Sequence, residues 1–330
     1  ADGGFGFTAS AAADMAAIGL ESKGVVLSYV VNGNTIIAYA ETGNGGYNQL
    51  QDRTVFQLTL DPTSGTFKFQ QFDQLDHVAP PAGTADENTQ LKAAGGSIDF
   101  GSIIKATDGD GDFVVLGGKV NVTVRDDVPE IELTTSGRVL VHDETAGVQP
   151  DADDFNGSLS LFNNVANKGD DQDVAGSGPI GFAKQNGLID ADVAFGSDGE
   201  ASQGSKVFSL VLKGGNGQDS GLRTTEGQVI KLYLEGGLIV GRVDGGPLNG
   251  KAAFAIGIDA DDGDVSLVQY LSLKHPNQAN PDDEVGFDLG HGKAIEVQLT
   301  VKDGDGDTDS KSVDITNAVK FQDDGPKITD

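Results

Sequence analysis

Val301-Lys302-Asp303-Gly304-Asp305-Gly306-Asp307-Thr308-Asp309, followed shortly by Asp323-Asp324-Gly325-Pro326, is the stretch around which the rest of the chain is organised. Carboxylates on alternate residues with glycine between them can fold around a single hard cation. Each glycine permits the tight, often left-handed turn that brings the next oxygen inward. Calcium takes about six to eight oxygens at roughly 2.3–2.6 Å, and such a run supplies three or more of them locally. The pattern occurs twice. Thr107-Asp108-Gly109-Asp110-Gly111-Asp112 precedes Arg125-Asp126-Asp127-Val128-Pro129 at nearly the same spacing, so the sequence reads as a tandem array.

Neither hairpin is an EF-hand. The residue after the third Asp is Phe113 or Thr308 where that loop needs Gly, and its last position holds Lys119 or Asp314 where it needs Glu. The remaining oxygens must come from elsewhere in the chain. Asp126-Asp127 and Asp323-Asp324 are the natural suppliers, which places an ion near a junction between modules; plain linker turns are the alternative. Asp259, Asp261, Asp262 and Asp264 around Gly263 form either another site or a hairpin turn. Asp143-Glu144 and Asp283-Glu284 are further candidate ligands.

Charge and composition narrow the function classes. The chain has 330 residues, 48 glycines, no cysteine and a formal net charge of −29. That length suits about two domains with real cores. The charge excludes non-specific nucleic-acid binding, which needs a basic face to displace counterions, and disfavours an anionic membrane surface. Bound divalent cations would relieve the self-repulsion; an acidic surface tuned to a saline medium is the other reading. Without cysteine there are neither disulfides nor thiol-held metals. No apolar run approaches the ~18 residues of a membrane helix. Phe7 to Leu20 is Ala-rich but carries Asp14 and lacks a basic lead, so it is not a secretory signal. The only methionine is Met15, so the chain is expected to be a piece of something longer.

Short alternating or β-branched runs between turn signals predict strands at Val25–Val31, Thr35–Ala40, Val55–Leu60, Thr66–Phe72, Ser97–Ala106, Val120–Val124 and Ile131–Val141. Ala9–Leu20 is the one modest helical candidate, and Ala79–Gln90 reads as a loop. From Val207 the chain replays itself. Val25–Tyr29 is echoed by Val229–Tyr233, and Val55–Asp61 by Ala253–Asp259. Gln71–His77 is echoed by Gln269–His275, and Asp86-Glu87 by Asp283-Glu284, before the acidic hairpins coincide. The period is roughly 200 residues, one large β domain per repeat. The boundary falls after Val128, giving a first repeat over 1–128 and a second over 129–330; the first lacks any counterpart of about 132–200.

Several catalytic signals fail. Gly245–Lys251 mimics a phosphate loop, but Ala252 replaces the needed Ser or Thr and the segment lies between strands. Gly176-x-Gly178-x-x-Gly181 holds Pro179 and follows an acidic loop. Gly214–Asp219 resembles one calcium nonapeptide of a β-roll but stands alone, and a β-roll needs stacked copies. The histidines His77, His142, His275 and His291 form no metalloprotease pattern, and the equivalence of His77 and His275 favours packing or capping over metal ligation. The expectation is a protein that is not an enzyme, although no local pattern excludes a carboxylate pair among 51 acids.

The Asp-Glu-Thr at 143–145, Gly221–Thr225, Gln269–Pro276 and the terminal Asp-Gly-Asp-Gly-Asp with Asp-Asp-Gly-Pro resemble the large type I secretion repeat of giant bacterial RTX adhesins. The likeness is close over 131–330 and looser over 19–130. It implies an all-β fold of tandem calcium-binding β-sandwich modules, immunoglobulin- or cadherin-like. It further implies a secreted, cell-surface protein with Ca2+ as its cofactor, serving attachment and biofilm formation. The partners expected are neighbouring modules of the same adhesin chain, with no direct membrane insertion. Two roles follow: an extender stiffened by calcium at its hairpins and joints, or a calcium-dependent module that binds a peptide or glycan. An exposed aromatic in a groove beside the ion would favour the second.

Overall fold

A computed structural model describes residues 3–43, 45–78, 88–145, 148–150, 152–171, 174, 178–277 and 279–325. Asp86-Glu87, Gly176 and Pro326 lie outside the described residues. The chain is almost wholly β, arranged mainly in antiparallel sheets, with Leu140–Asp143 and Val319–Gln322 paired in parallel. It forms two compact units. The first comprises the chain up to Glu130 together with Ala194–Ser205 and Lys302–Asp309; the second comprises Ile131–Val193, Lys206–Val301 and the chain from Ser310.

In the first unit, Ser28–Asn32, Thr35–Ala40, Arg53–Leu60 and Phe67–Gln71 form an antiparallel meander whose spatial order follows the chain. Arg53–Leu60 shows why: Phe56, Leu58 and Leu60 are buried while Gln57 and Thr59 are more open, the two-residue period of a strand with one face on a core. A second sheet joins Gly4–Phe7, Ile104–Thr107 and Phe113–Val115. Between them lies a core in which Phe56 meets Phe69 and Phe100 at 5.2 and 5.9 Å between ring centres. The helix expected within Ala9–Leu20 is Ala11–Ala16, and it buries Ala11 and Met15, one turn apart, in this core.

The run Ser97–Ala106 is not one strand. Asp99 accepts a hydrogen bond from Gly101 N (2.9 Å) and caps a 3-10 turn at Phe100–Ile103, splitting the run into Ile98–Asp99 and Ile104–Thr107. A Cβ on Gly101 would sit 2.4 Å from Leu116 O, so only glycine allows that approach.

The second unit repeats the meander as Val229–Glu235, Leu238–Asp244, Ala252–Ile258 and Val265–Gln269. Gln218–Arg223 and Gly181–Gln185 flank it, giving a six-stranded sheet. The correspondence reaches individual hydrogen bonds. Ala38 pairs with Phe56 and Tyr39 with Thr54, leaving Val55 as a bulge; Gly241 pairs with Phe254 and Arg242 with Ala252, leaving Ala253. Val55 O accepts from Phe72 N and Asp73 N at 2.8 and 3.2 Å; Ala253 O accepts from Tyr270 N and Leu271 N at 2.7 and 3.1 Å.

All of Ala252–Ile258 is buried because both faces of its sheet are covered. Phe254 packs on Phe287 and Phe321 at 5.7 and 5.0 Å. Ala255 belongs instead to a cluster around Phe162, Val268 and Tyr270. Lys206–Lys213, Ala294–Lys302 and Thr308–Asp314 form a separate three-stranded sheet, and the acidic hairpin joins its last two strands.

Phe254→Ala removes the ring shared by Phe287 and Phe321 and is expected to destabilise the fold by about 3–5 kcal/mol. Gly241→Ala drives a Cβ to 2.4 Å from the Phe254 ring, costing about 1–3 kcal/mol. Urea unfolding followed by circular dichroism measures both, and near-wild-type midpoints would contradict this packing.

Candidate metal centre

Two local sequences of the same kind build the same turn. Asp303 N donates to Asp307 O (3.0 Å), and Asp303 Oδ1 accepts from Gly306 N (3.0 Å) and Asp307 N (2.7 Å). Asp108 N donates to Asp112 O (2.9 Å), and Asp108 Oδ1 accepts from Gly111 N (3.1 Å) and Asp112 N (2.9 Å). Gly306 and Gly111 take φ of 115° and 105°, a region that glycine alone enters cheaply. The environments differ. Asp108, Asp110 and Asp112 have oxygens within 4.8 Å of one another but are exposed, whereas Asp303 and Asp307 are 1% and 0% exposed.

Within the first unit, Ala194–Ser205 covers the 303–307 turn. Ala201 N donates to Lys302 O (3.2 Å), Lys302 N to Ser205 O (2.8 Å) and Gly304 N to Gly199 O (2.9 Å). These bonds deliver Asp198, which is buried, to the turn. Asp127 accepts a hydrogen bond from Ser197 N in the same segment. A Cβ on Gly196 would lie 2.2 Å from Asp127 Oδ2, and one on Gly304 would lie 2.3 Å from Asp198 O, so both glycines permit the closure.

Ligand atoms of Asp126, Asp127 and Asp198 lie within 4.8 Å of one another, as do those of Asp198, Asp303 and Asp305, and those of His77, Asp126 and Asp305. These overlapping groups, with Asp307, make one polyanionic centre. Asp303 Oδ2, Asp305 Oδ1 and both oxygens of Asp307 are buried and meet no hydrogen-bond donor among the described residues. Burial first, then the neighbouring carboxylates, push Asp198 up to about 9, Asp303 up to about 7 and Asp307 up to about 8. Burial and the Asp126 charge raise Asp305 in the same way. Left without a partner, Asp198, Asp303 and Asp307 would hold protons near neutral pH.

His77 sits at the edge of this centre, with Nδ1 3.1 Å from Asp126 Oδ1 and Nε2 3.2 Å from Val124 O. It orients the Asp126 carboxylate. Burial lowers its pKa, but the Asp126 carboxylate outweighs this and the net direction is upward. An all-oxygen set with orphaned, desolvated oxygens fits a hard divalent cation. Asp126, Asp127, Asp198, Asp303, Asp305 and Asp307 are the residues that would hold it.

The remaining sequence candidates fall in several places. Glu144 and Asp323 converge with His275 in the second unit. Asp283 is adjacent through its backbone, its O accepting from Asp323 N (2.9 Å), while its side chain accepts from Asn277 N (3.0 Å). Asp143 is used locally by Thr145 N (2.6 Å), and Glu284 is exposed on a strand. Asp324 donates its N–H to Asp323 Oδ1 (3.1 Å), and Asp309 lies on the strand beyond the hairpin.

Asp259, Asp261, Asp262 and Asp264 form the hairpin turn. Asp259 Oδ1 accepts from Asp261 N (3.0 Å), Asp262 Oδ1 accepts from Asp264 N (3.1 Å), and Asp264 pairs with Lys184 (2.9 Å). Asp198 is the residue that sequence reading missed. Its only signal is the glycine on either side of Ser197-Asp198, at 196 and 199.

No curated protein and no solved structure matches the chain. A family model described as a domain of unknown function, DUF5801, matches residues 6–116 and 135–316. The matched residues make up most of the sequence, and the chain belongs to this DUF5801 family.

Proposed function

We propose that this chain is a calcium-stabilised part of a large secreted bacterial surface adhesin of the RTX type, acting as a non-catalytic extender in attachment and biofilm formation. Its tandem β-sandwich modules would be 1–128 and 129–330. The observation that carries the reading is the buried carboxylate centre of Asp126, Asp127, Asp198, Asp303, Asp305 and Asp307, with its unpartnered oxygens. Calcium accepts an irregular set of six to eight oxygens, whereas magnesium demands near-octahedral geometry and dehydrates reluctantly. A bound ion would tie together three segments of the first unit that are far apart in sequence. Binding free energy then becomes folding free energy, and a chain secreted unfolded would gain its stability outside the cell.

A second reading has its own observation. The second unit has a cleft of about 420 Å³ lined by His142, Asp143, Asp154, Phe155 and Phe182 among others, with Phe155 partly exposed. Burial pushes Asp154 up to about 6. An exposed aromatic beside carboxylates suits a glycan or peptide ligand. Glycan and peptide arrays in calcium test this reading: binding lost in Phe155→Ala supports it, and an empty array removes it.

For the leading reading, thermal unfolding by circular dichroism in a chelator and then in calcium is decisive. Calcium at about a hundred times its Kd adds about 2.7 kcal/mol, a rise of roughly 5–10 °C in Tm for domains of this size. Magnesium should not reproduce it, and a melt indifferent to calcium refutes the proposal.

Asp307→Asn should remove most of the calcium response yet raise the metal-free Tm at pH 8, because it deletes a charge from a repelling cluster. A metal-free Tm that falls instead would show that the carboxylate serves the fold in some other way.

The pH dependence has a definite sign. Asp198, Asp303 and Asp307 hold protons in the folded state at pH values where the unfolded chain, near 4, has lost them. Metal-free stability should therefore fall as pH rises from about 5 to 9, and saturating calcium should flatten that slope. A metal-free Tm that climbs over this range contradicts the burial of these groups.

A further inference from the structure

The second unit holds a donor set of a different kind. We propose that Glu144, His275 and Asp323 form a binding site for one divalent transition ion of the zinc class. The proposal stands on residues of the second unit alone and does not rest on the calcium reading.

The topology brings the three together. Leu140–Asp143 pairs in parallel with Val319–Gln322, Asp143 opposite Gln322, so the two strands deliver Glu144 and Asp323 side by side. Glu144 N donates to Gln322 O at 3.0 Å. Glu144 Oε1 accepts from Leu273 N at 3.0 Å and from Gln269 Nε2, which holds the carboxylate next to the segment bearing His275. One ligand atom of each residue falls within 4.8 Å of the others, and the side chains of His275 and Glu144 are 2% and 3% exposed.

The imidazole is the second, independent observation. His275 Nδ1 and Nε2 are both buried and have no hydrogen-bond partner among the described residues. Nε2 lies 3.9 Å from Glu144 Oε1, too long for a hydrogen bond. Two ligands held tetrahedrally by bonds of about 2.0–2.2 Å stand roughly 3.3–3.6 Å apart, so the pair would close by a few tenths of an ångström around an ion.

His77, at the equivalent repeat position, marks the contrast. Its Nε2 is 3.2 Å from Val124 O and its Nδ1 3.1 Å from Asp126 Oδ1. In the first unit Nε2 meets a backbone carbonyl. In the second, neither ring nitrogen has a hydrogen bond of good geometry among the described residues, and Glu144, Asp323 and the Asp283 backbone face the ring. Imidazole nitrogen suits zinc, copper and nickel, whereas calcium prefers oxygen throughout. A mixed nitrogen and carboxylate set therefore selects a transition ion. The rival arrangement is an imidazolium–glutamate pair. Burial lowers the His275 pKa, but the Glu144 carboxylate first, then the Asp323 charge and the Asp283 backbone, outweigh it.

The test uses the full chain, stripped of metal and then held in millimolar calcium so that oxygen-only sites are filled. Zinc titration by calorimetry is expected to give one ion per chain with a Kd in the micromolar range or tighter. His275→Ala should weaken binding at least a hundredfold, while His291→Ala, on an exposed histidine, should leave it unchanged. Should His275→Ala fail to fold, 15N correlation spectra of the wild-type histidine rings decide. Zinc should shift the His275 nitrogens, and cobalt should broaden the same resonances.

No zinc binding, zinc binding that leaves the His275 ring unmoved, or displacement of zinc by millimolar calcium would each overturn the proposal. A calcium-indifferent melt together with zinc binding at His275 would refute the calcium reading and leave this one standing.

Discussion

The repulsion among buried carboxylates in the first unit is the constraint on which the rest depends. Two unit charges 4 Å apart interact by about 1 kcal/mol in bulk water and by about 4 kcal/mol at the effective dielectric of a protein. Several such pairs together rival the ~5–15 kcal/mol that holds a whole domain folded. The Asp126, Asp127, Asp198, Asp303, Asp305 and Asp307 cluster therefore has to be neutralised by protons or by a cation. The upward shifts of Asp198, Asp303 and Asp307 express the proton solution. A cation achieves the same end at any pH where the carboxylates are free, and it links the segments that carry them.

The meander is the scaffold that both units share. Its bulges at Val55 and Ala253 turn one carbonyl toward two amides, so the strand can bend without leaving a polar group unpaired. Identical bulges in both units mean that the backbone scaffold is set by the same few residues each time. The loops carried on that scaffold are free to differ. In Ala194–Ser205 the Ala201 amide is engaged by Lys302 O, and the Ser205 and Gly199 carbonyls by Lys302 N and Gly304 N. That pairing converts an acidic turn from a solvated feature into a buried one.

The sequence made the β class, the meander strands and the internal echo legible because each rests on local rules. Alternation marks Val55–Leu60, glycine and aspartate mark the turns, and the match of Val55–Asp61 to Ala253–Asp259 survives as register. The Asp-Gly-Asp-Gly-Asp turns were legible for the same reason, since their hydrogen bonds close within five residues. What local rules cannot reach is contact between distant segments. The covering of 303–307 by 194–205 involves residues about a hundred positions apart, and Asp198 carries no pattern of its own. The same limit applies to the histidines. Their equivalence is visible in the sequence, but whether Nε2 meets Val124 O or has no hydrogen bond among the described residues depends on the surrounding fold.

The net charge of −29 admits two explanations from composition alone, cation binding and an acidic solvated surface. The two acidic turns separate them in space. Asp108, Asp110 and Asp112 are exposed, so water and salt screen their charges and they cost the fold little. Asp303 and Asp307 bear the same sequence pattern and the same hydrogen bonds, yet they have lost that screening. Identical chemistry thus has opposite consequences on the two turns, and burial is the variable that decides between them. The buried turn gains the capacity to respond to an ion, because only there does neutralisation change the free energy of the fold by an amount that matters.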